Sequence, residues 1–170
     1  MKIKSLQDLF ETGLKYAYDC EQKLVKKGIP SMIKNSSSSE LRNALEQHLE
    51  ETRNQVSRLE RVFSLCGFEA KKEDNDVIDE ITDFADDMVS ATDDGTPLRD
   101  AALIVGGNVV EHYEMAVYGS LFAFAQQLGH NEAARLLQET LNEEKAADAK
   151  LTEIGERTIN PRAAQELRAA

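Results

Sequence analysis

The chain has 170 residues, 41% of them hydrophobic and 30% charged, and a formal net charge of −11. That length suits one domain with a substantial core, and the acidic balance argues against nucleic acid or an anionic membrane surface as a partner. The N-terminal MKIKSLQDLFETG lacks the apolar stretch of a secretion signal, and no apolar run approaches the ~18–20 residues that span a bilayer, so a cytoplasmic protein is expected.

Cys20 and Cys66 are the only cysteines, with no CxxC motif and no histidine cluster around them. They are expected to be free thiols in a reducing compartment, not zinc ligands.

The first predicted helix runs from about Ser5 to Lys34, with Ser5 as N-cap and Asp8 three residues on. Steps of four and three give the seam Phe10, Leu14, Ala17, Glu21, Leu24 and Gly28, which places Glu21 inside an apolar stripe. Pro30 is expected to kink or interrupt the last turns. A polar turn at Ser36–Ser39 follows, with Ser38 or Ser39 capping the next helix.

The second helix spans about Glu40 to Cys66 and is ended by Gly67. Its seam is Leu41, Leu45, His48, Thr52, Gln55, Leu59, Val62 and Cys66, apolar at both ends and polar in the middle. Glu51 follows His48 by three residues and projects from the same face.

Between Glu69 and Asp94 the chain carries eleven acids and two lysines, a pattern expected of a solvated face. Asn75 to Val89 reads as a shorter amphipathic helix with Val77, Ile78, Ile81, Phe84, Ala85 and Met88 along one side. Thr96-Pro97 then starts the third long helix, with proline at the first position. That helix reaches Leu128 through the seam Leu103, Gly107, Val110, Glu114, Val117, Leu121, Phe124 and Leu128. Gly106 and Gly107 each cost about 1 kcal/mol inside a helix relative to alanine; close approach of another helix is the expected reason.

Gly129-His130-Asn131 leads into the fourth long helix, which runs to about Ile159, ahead of Pro161. Its seam is Ala134, Leu137, Leu141, Glu144, Asp148, Leu151 and Gly155. Residues 1–160 are therefore expected to form the folded domain and 161–170 a flexible tail. Two long helices, a long crossover carrying a short helix and two more long helices make an all-α, ferritin-like four-helix bundle.

The seams bring Glu21, His48, Glu51, Glu114, Glu144 and Asp148 to one level. Two unit charges ~4 Å apart at an effective dielectric of ~20 repel by ~4 kcal/mol, so five clustered carboxylates call for cations or strongly raised pKa values. Two divalent metals answer that need, and carboxylates with an imidazole suit iron or manganese. The competing reading turns these acids outward, to pair with lysine or arginine. Glu111, one turn before Glu114, is available as a further ligand. His112 points away from the Glu114 seam, toward a surface or an oligomer contact. Tyr18, Tyr113 and Tyr118 near this level are read as core packing.

The ordered set HLEET at His48–Thr52, RDAALI at Arg99–Ile104, VEHYE at Val110–Glu114 with Tyr118-Gly119, QLG at Gln127–Gly129 and ETLNEEK at Glu139–Lys145 with Asp148, Lys150 and Leu151 resembles the YciF/YciE family of bacterial stress-associated ferritin-like proteins. The resemblance covers about residues 3–158. It implies a ferritin-like bundle similar to rubrerythrins and commonly dimeric, and leaves the reaction open. One departure stands out. Ferritin-like di-metal sites carry Glu-x-x-His on two helices, whereas here Asn54 follows Glu51 and Ala147 follows Glu144 at that spacing, and His48 precedes its glutamate.

The expected function is a stress-associated protein with a di-iron or iron–manganese carboxylate site, ferroxidase or peroxide-reducing. The alternative is a non-catalytic dimeric stress protein acting through protein–protein contacts, with structural metal or none. A homodimer is expected because the third long helix carries Ile104, Val109, Met115, Ala116, Tyr118, Phe122 and Ala123 outside its seam, a surplus that needs cover from the crossover or a second subunit. No organic substrate pocket is legible in the residues.

Overall fold

The computed structural model describes residues 2–166. The elements are α1 (Leu6–Lys23), α2 (Ile29–Asn35), α3 (Ser39–Cys66), α4 (Asp76–Ser90), α5 (Pro97–Gln127), α6 (Asn131–Ile154) and α7 (Asn160–Glu166). The long helices form two hairpins, α1 with α3 and α5 with α6, packed as a four-helix bundle; α4 lies in the crossover and rests on α5. This is the all-α, ferritin-like arrangement that the seams predict.

The helix ends follow their local chemistry. Ser5 accepts from the Asp8 amide at 3.0 Å, and Ser38 from that of Leu41 at 3.4 Å. Thr96 caps α5, with Pro97 in its first turn. Gly67 closes α3 at φ 71°, a left-handed conformation that favours glycine.

The first long helix is interrupted beside its proline, one of the two outcomes expected. Leu24–Gly28 form a π-helical turn just ahead of Pro30, and α2 resumes at Ile29. A second π-helical turn, Gly155–Ile159, precedes Pro161. Proline lacks an N–H, and its ring crowds the carbonyl four residues earlier. A widened turn just upstream moves that carbonyl aside and lets the helix continue. The chain therefore stays helical from Asn160 to Glu166, where fraying is expected from the sequence; residues 167–170 of the expected tail lie outside the described part of the chain.

The two helix-interior glycines mark close approaches. A Cβ on Gly106 would stand 2.7 Å from the Ala85 Cβ of α4. A Cβ on Gly107 would stand 2.8 Å from a terminal methyl of Leu151 and 3.2 Å from the end of Met32. The apolar side of α4 is only partly covered: Ile78 is buried, whereas Val77, Phe84 and Met88 remain exposed.

The core divides into two apolar clusters. One gathers Phe10, Leu14, Val62, Phe63, Leu121 and Leu137. The other gathers Leu24, Leu41, Leu45, Leu103, Leu151 and Ile154. Between their levels the seams turn polar, at Glu21, His48, Thr52, Gln55, Glu114 and Glu144, all buried.

Candidate metal centre

Each long helix presents its polar residues inward because its neighbours along the seam are apolar and fix the face. Glu21 follows Ala17 on α1, His48 follows Leu45 on α3, Glu114 follows Val110 on α5 and Glu144 follows Leu141 on α6, and those four apolar residues are all buried. Glu111 joins them from α5, one turn before Glu114, at 3% exposure.

Two groups of ligand-type atoms result. His48, Glu111 and Glu144 offer one atom each within 4.8 Å of one another, and so do Glu21, Glu114 and Glu144. Glu144 belongs to both and is fully buried. Among the described residues, no lysine or arginine pairs with Glu21, Glu111, Glu114 or Glu144.

The partners these groups do have are few. Tyr118 donates its hydroxyl hydrogen to Glu21 Oε1. The Cys20 thiol lies 3.6 Å from Glu114 Oε1. His48 Nε2 sits 3.2 Å from Glu111 Oε1. Glu21 Oε2, Glu111 Oε2 and both oxygens of Glu144 are buried without a hydrogen-bond partner among the described residues. Buried polar atoms in native proteins are nearly always satisfied, so such a set needs an explanation.

Electrostatics reflect the crowding. Burial raises the Glu21 carboxyl to about 7. It pushes Glu114 well above the usual carboxylate range, helped by the charges of Glu21 and Glu144. Glu144 moves the same way through burial and the charges of Glu21 and Glu111. Burial alone would lower His48, but its contacts with Glu111 and Glu51 outweigh that and hold it well above 6.5. Cys20 and Tyr118 are both raised, first by burial and then by the neighbouring glutamates.

Of the six residues singled out in the sequence, Glu21, His48, Glu114 and Glu144 converge. Glu51 and Asp148 lie outside both groups. Glu51 has a side chain 34% exposed, with Oε2 3.6 Å from His48 Nδ1. Asp148 turns to His112, Oδ1 to Nε2 3.2 Å, and His112 itself is 69% exposed. The tyrosines divide: Tyr118 touches the site, whereas Tyr18 donates to Glu60 at 2.7 Å and Tyr113 accepts from Asn75 at 2.7 Å. Cys20 is a free thiol, as expected, but no sequence seam placed it at the site; its position three residues after Ala17 on the inward side of α1 is the signal that was available.

The donor set fits a pair of divalent ions: carboxylates predominate, one imidazole is present, and one carboxylate lies between two groups. Hard oxygen donors with a single histidine suit iron or manganese better than zinc or copper.

Comparison with known proteins agrees with the architecture. Residues 5–164 match the family described as domain of unknown function DUF892. Protein YciF of Escherichia coli (strain K12) is 36% identical over 164 residues, covering 96% of this chain and 98% of that protein. The crystal structure of the E. coli stress protein YciF superposes with a TM-score of 0.87 at 35% identity, over 93% of this chain and 99% of that one. YcfI from Rhodopseudomonas palustris gives a TM-score of 0.84 at 39% identity, over 89% and 95%. On the family match and this near-complete likeness to YciF, the chain belongs to the DUF892 family.

Proposed function

We propose that this chain is a stress-related protein holding two divalent metal ions, iron or iron with manganese, in the middle of its bundle. The observation that carries the reading is the set of buried, unpartnered oxygens on Glu21, Glu111 and Glu144 at the junction of two ligand groups. His48, Glu111 and Glu144 would serve one ion, and Glu21, Glu114 and Glu144 the other. Bound there, iron or manganese would supply redox chemistry toward dioxygen or peroxide, as a ferroxidase or peroxide-reducing site. The protein's own part is to keep the carboxylates fixed. Tyr118 holds Glu21 by its hydroxyl, the apolar clusters close the core on either side of this level, and His48 gives up its proton on binding. The stress role is supported by the likeness to YciF, named as a stress protein.

Metal analysis of protein expressed with iron supplementation and purified without chelator tests this. Two equivalents of iron or manganese per chain are expected. No bound metal would overturn the reading and leave a non-catalytic protein that works through its surface.

We also propose a homodimer. Ile104 and Tyr118 are covered within the chain, but Phe84, Leu98, Val105 and Val109 are 37–50% exposed. These apolar side chains on α4 and α5 are suited to burial against a second copy.

A further inference from the structure

Between α3 and α6 lies a cleft of about 460 Å3. Ala44 and Leu45 wall one side, Ala147 and Leu151 the other. Glu40, Glu51 and Lys150 also line it. Arg157 engages Glu40 and Glu153 engages Lys150, so Glu51, which among the described residues pairs with His48 and Gln47 and with no lysine or arginine, is the carboxylate available to meet an incoming ion. His48 and Glu111 also line the cleft although they are almost completely buried, and Glu111 Oε2 has no hydrogen-bond partner.

From the cleft inward, donor atoms follow one another without a gap. Glu51 Oε2 lies 3.6 Å from His48 Nδ1, and His48 Nε2 lies 3.2 Å from Glu111 Oε1. Glu111 and His48 share a group with Glu144, which shares the next with Glu21 and Glu114. The larger cavity beside α4, about 710 Å3, is lined by residues such as Lys23, Asp79, Gly106 and Val110 and by none of these glutamates.

Granting the two-metal reading, on which this rests, we propose that the α3–α6 cleft is the entrance by which a hydrated divalent cation reaches the core. Glu51 is the first carboxylate to meet the ion, which passes from it to His48 and Glu111 of the nearer ligand group. A cation cannot shed its water in one step on entering an apolar interior without a large desolvation penalty. Here each water lost is replaced by the next oxygen or nitrogen in the series. The alanines at positions 44 and 147 leave the cleft wide enough for an ion still carrying water, and its apolar walls focus the field of Glu51.

The test is the rate at which metal-free protein takes up Co2+, followed by its visible absorption in stopped flow, with stoichiometry read at equilibrium. Ala147→Phe and Ala44→Phe fill the cleft from opposite walls, and melting curves establish that each variant is folded. Both are expected to slow uptake while reaching the wild-type stoichiometry. Glu51→Gln is expected to slow it about tenfold, and the wild-type rate to fall with added salt. Wild-type rates in the folded, filled variants would overturn the proposal. So would a reduced final stoichiometry, because the cleft would then belong to the binding site and not to its approach. Failure of the wild-type protein to take up Co2+ at all would instead overturn the two-metal reading itself.

Discussion

Glu114 is where a single atom separates the two accounts of the core. In metal-free protein its carboxylate faces Glu21 and Glu144 and meets a thiol, with no lysine or arginine paired to it among the described residues. Glu114→Gln should therefore be neutral or stabilising in metal-free protein, since it keeps the shape and cannot take on the charge that burial and its neighbours oppose. A buried salt bridge would give the opposite sign, a loss of roughly 3–5 kcal/mol from the stranded cation. The melting temperature of metal-free Glu114→Gln decides between them. In metal-loaded protein, Glu114→Ala should lose one of the two equivalents, read by elemental analysis. Tyr118→Phe carries a separate expectation. It leaves Glu21 Oε1 buried without its donor, at a cost of about 1–3 kcal/mol in denaturant unfolding of metal-free protein. A Tyr118→Phe protein as stable as wild type would show that water replaces the hydroxyl.

The contact between α4 and α5 rests on one missing side chain. Gly106→Ala would gain helix propensity of ~1 kcal/mol, yet its methyl would meet Ala85 at 2.7 Å and the backbone Cα of that residue at 3.4 Å. A Cβ has no rotamer by which to turn aside, so α4 must shift to relieve the 2.7 Å contact, and a net loss of about 1–3 kcal/mol is expected. Gly107→Ala meets only the flexible ends of Leu151 and Met32 and should change stability by less than about 1 kcal/mol. Thermal melts of the pair check the contrast; equal effects would mean that α4 moves freely on α5. The helices themselves were largely legible because a seam of alternating four- and three-residue steps leaves little choice of inward face. Glu21, His48, Glu114 and Glu144 sit on such seams and are buried. Glu111 is harder to read because α5 is buried on several sides, under α4 as well as against α6, so one seam does not exhaust its inward positions. Glu51 errs the other way. Three residues turn a helix to within about 60° of its starting direction, and here that rotation carries Glu51 from the core beside His48 to the edge of the cleft. The π-helical turns have no periodic signature at all; only Pro30 and Pro161 hint at them.

At the scale of the whole molecule the carboxyl groups tie stability to pH. Glu21 titrates near 7 in the fold against 4.5 for an unburied glutamate, and Glu114 and Glu144 are raised as well. A group whose folded pKa is raised contributes stability that is complete below its unfolded pKa and is lost as pH rises through the folded one. His48, also raised, has the same sign. Metal-free protein should therefore melt higher at pH 5.5 than at pH 8, and bound iron or manganese should reverse that order, because the ions need the carboxylates ionised. Identical melting curves at both pH values, with and without metal, would place the acids in solvent. Sedimentation at micromolar concentration should show a dimer; a monomer would leave Phe84, Leu98, Val105 and Val109 in water. The ligand groups also belong to neither hairpin alone: Glu21 and His48 come from the first, and Glu111, Glu114 and Glu144 from the second. Cut in the exposed crossover between residues 69 and 74, the chain would become two peptides, each holding an incomplete set of donors. The shared apolar clusters would draw the two peptides together, a divalent ion would act as an added fastener across them, and a chelator would loosen the joint.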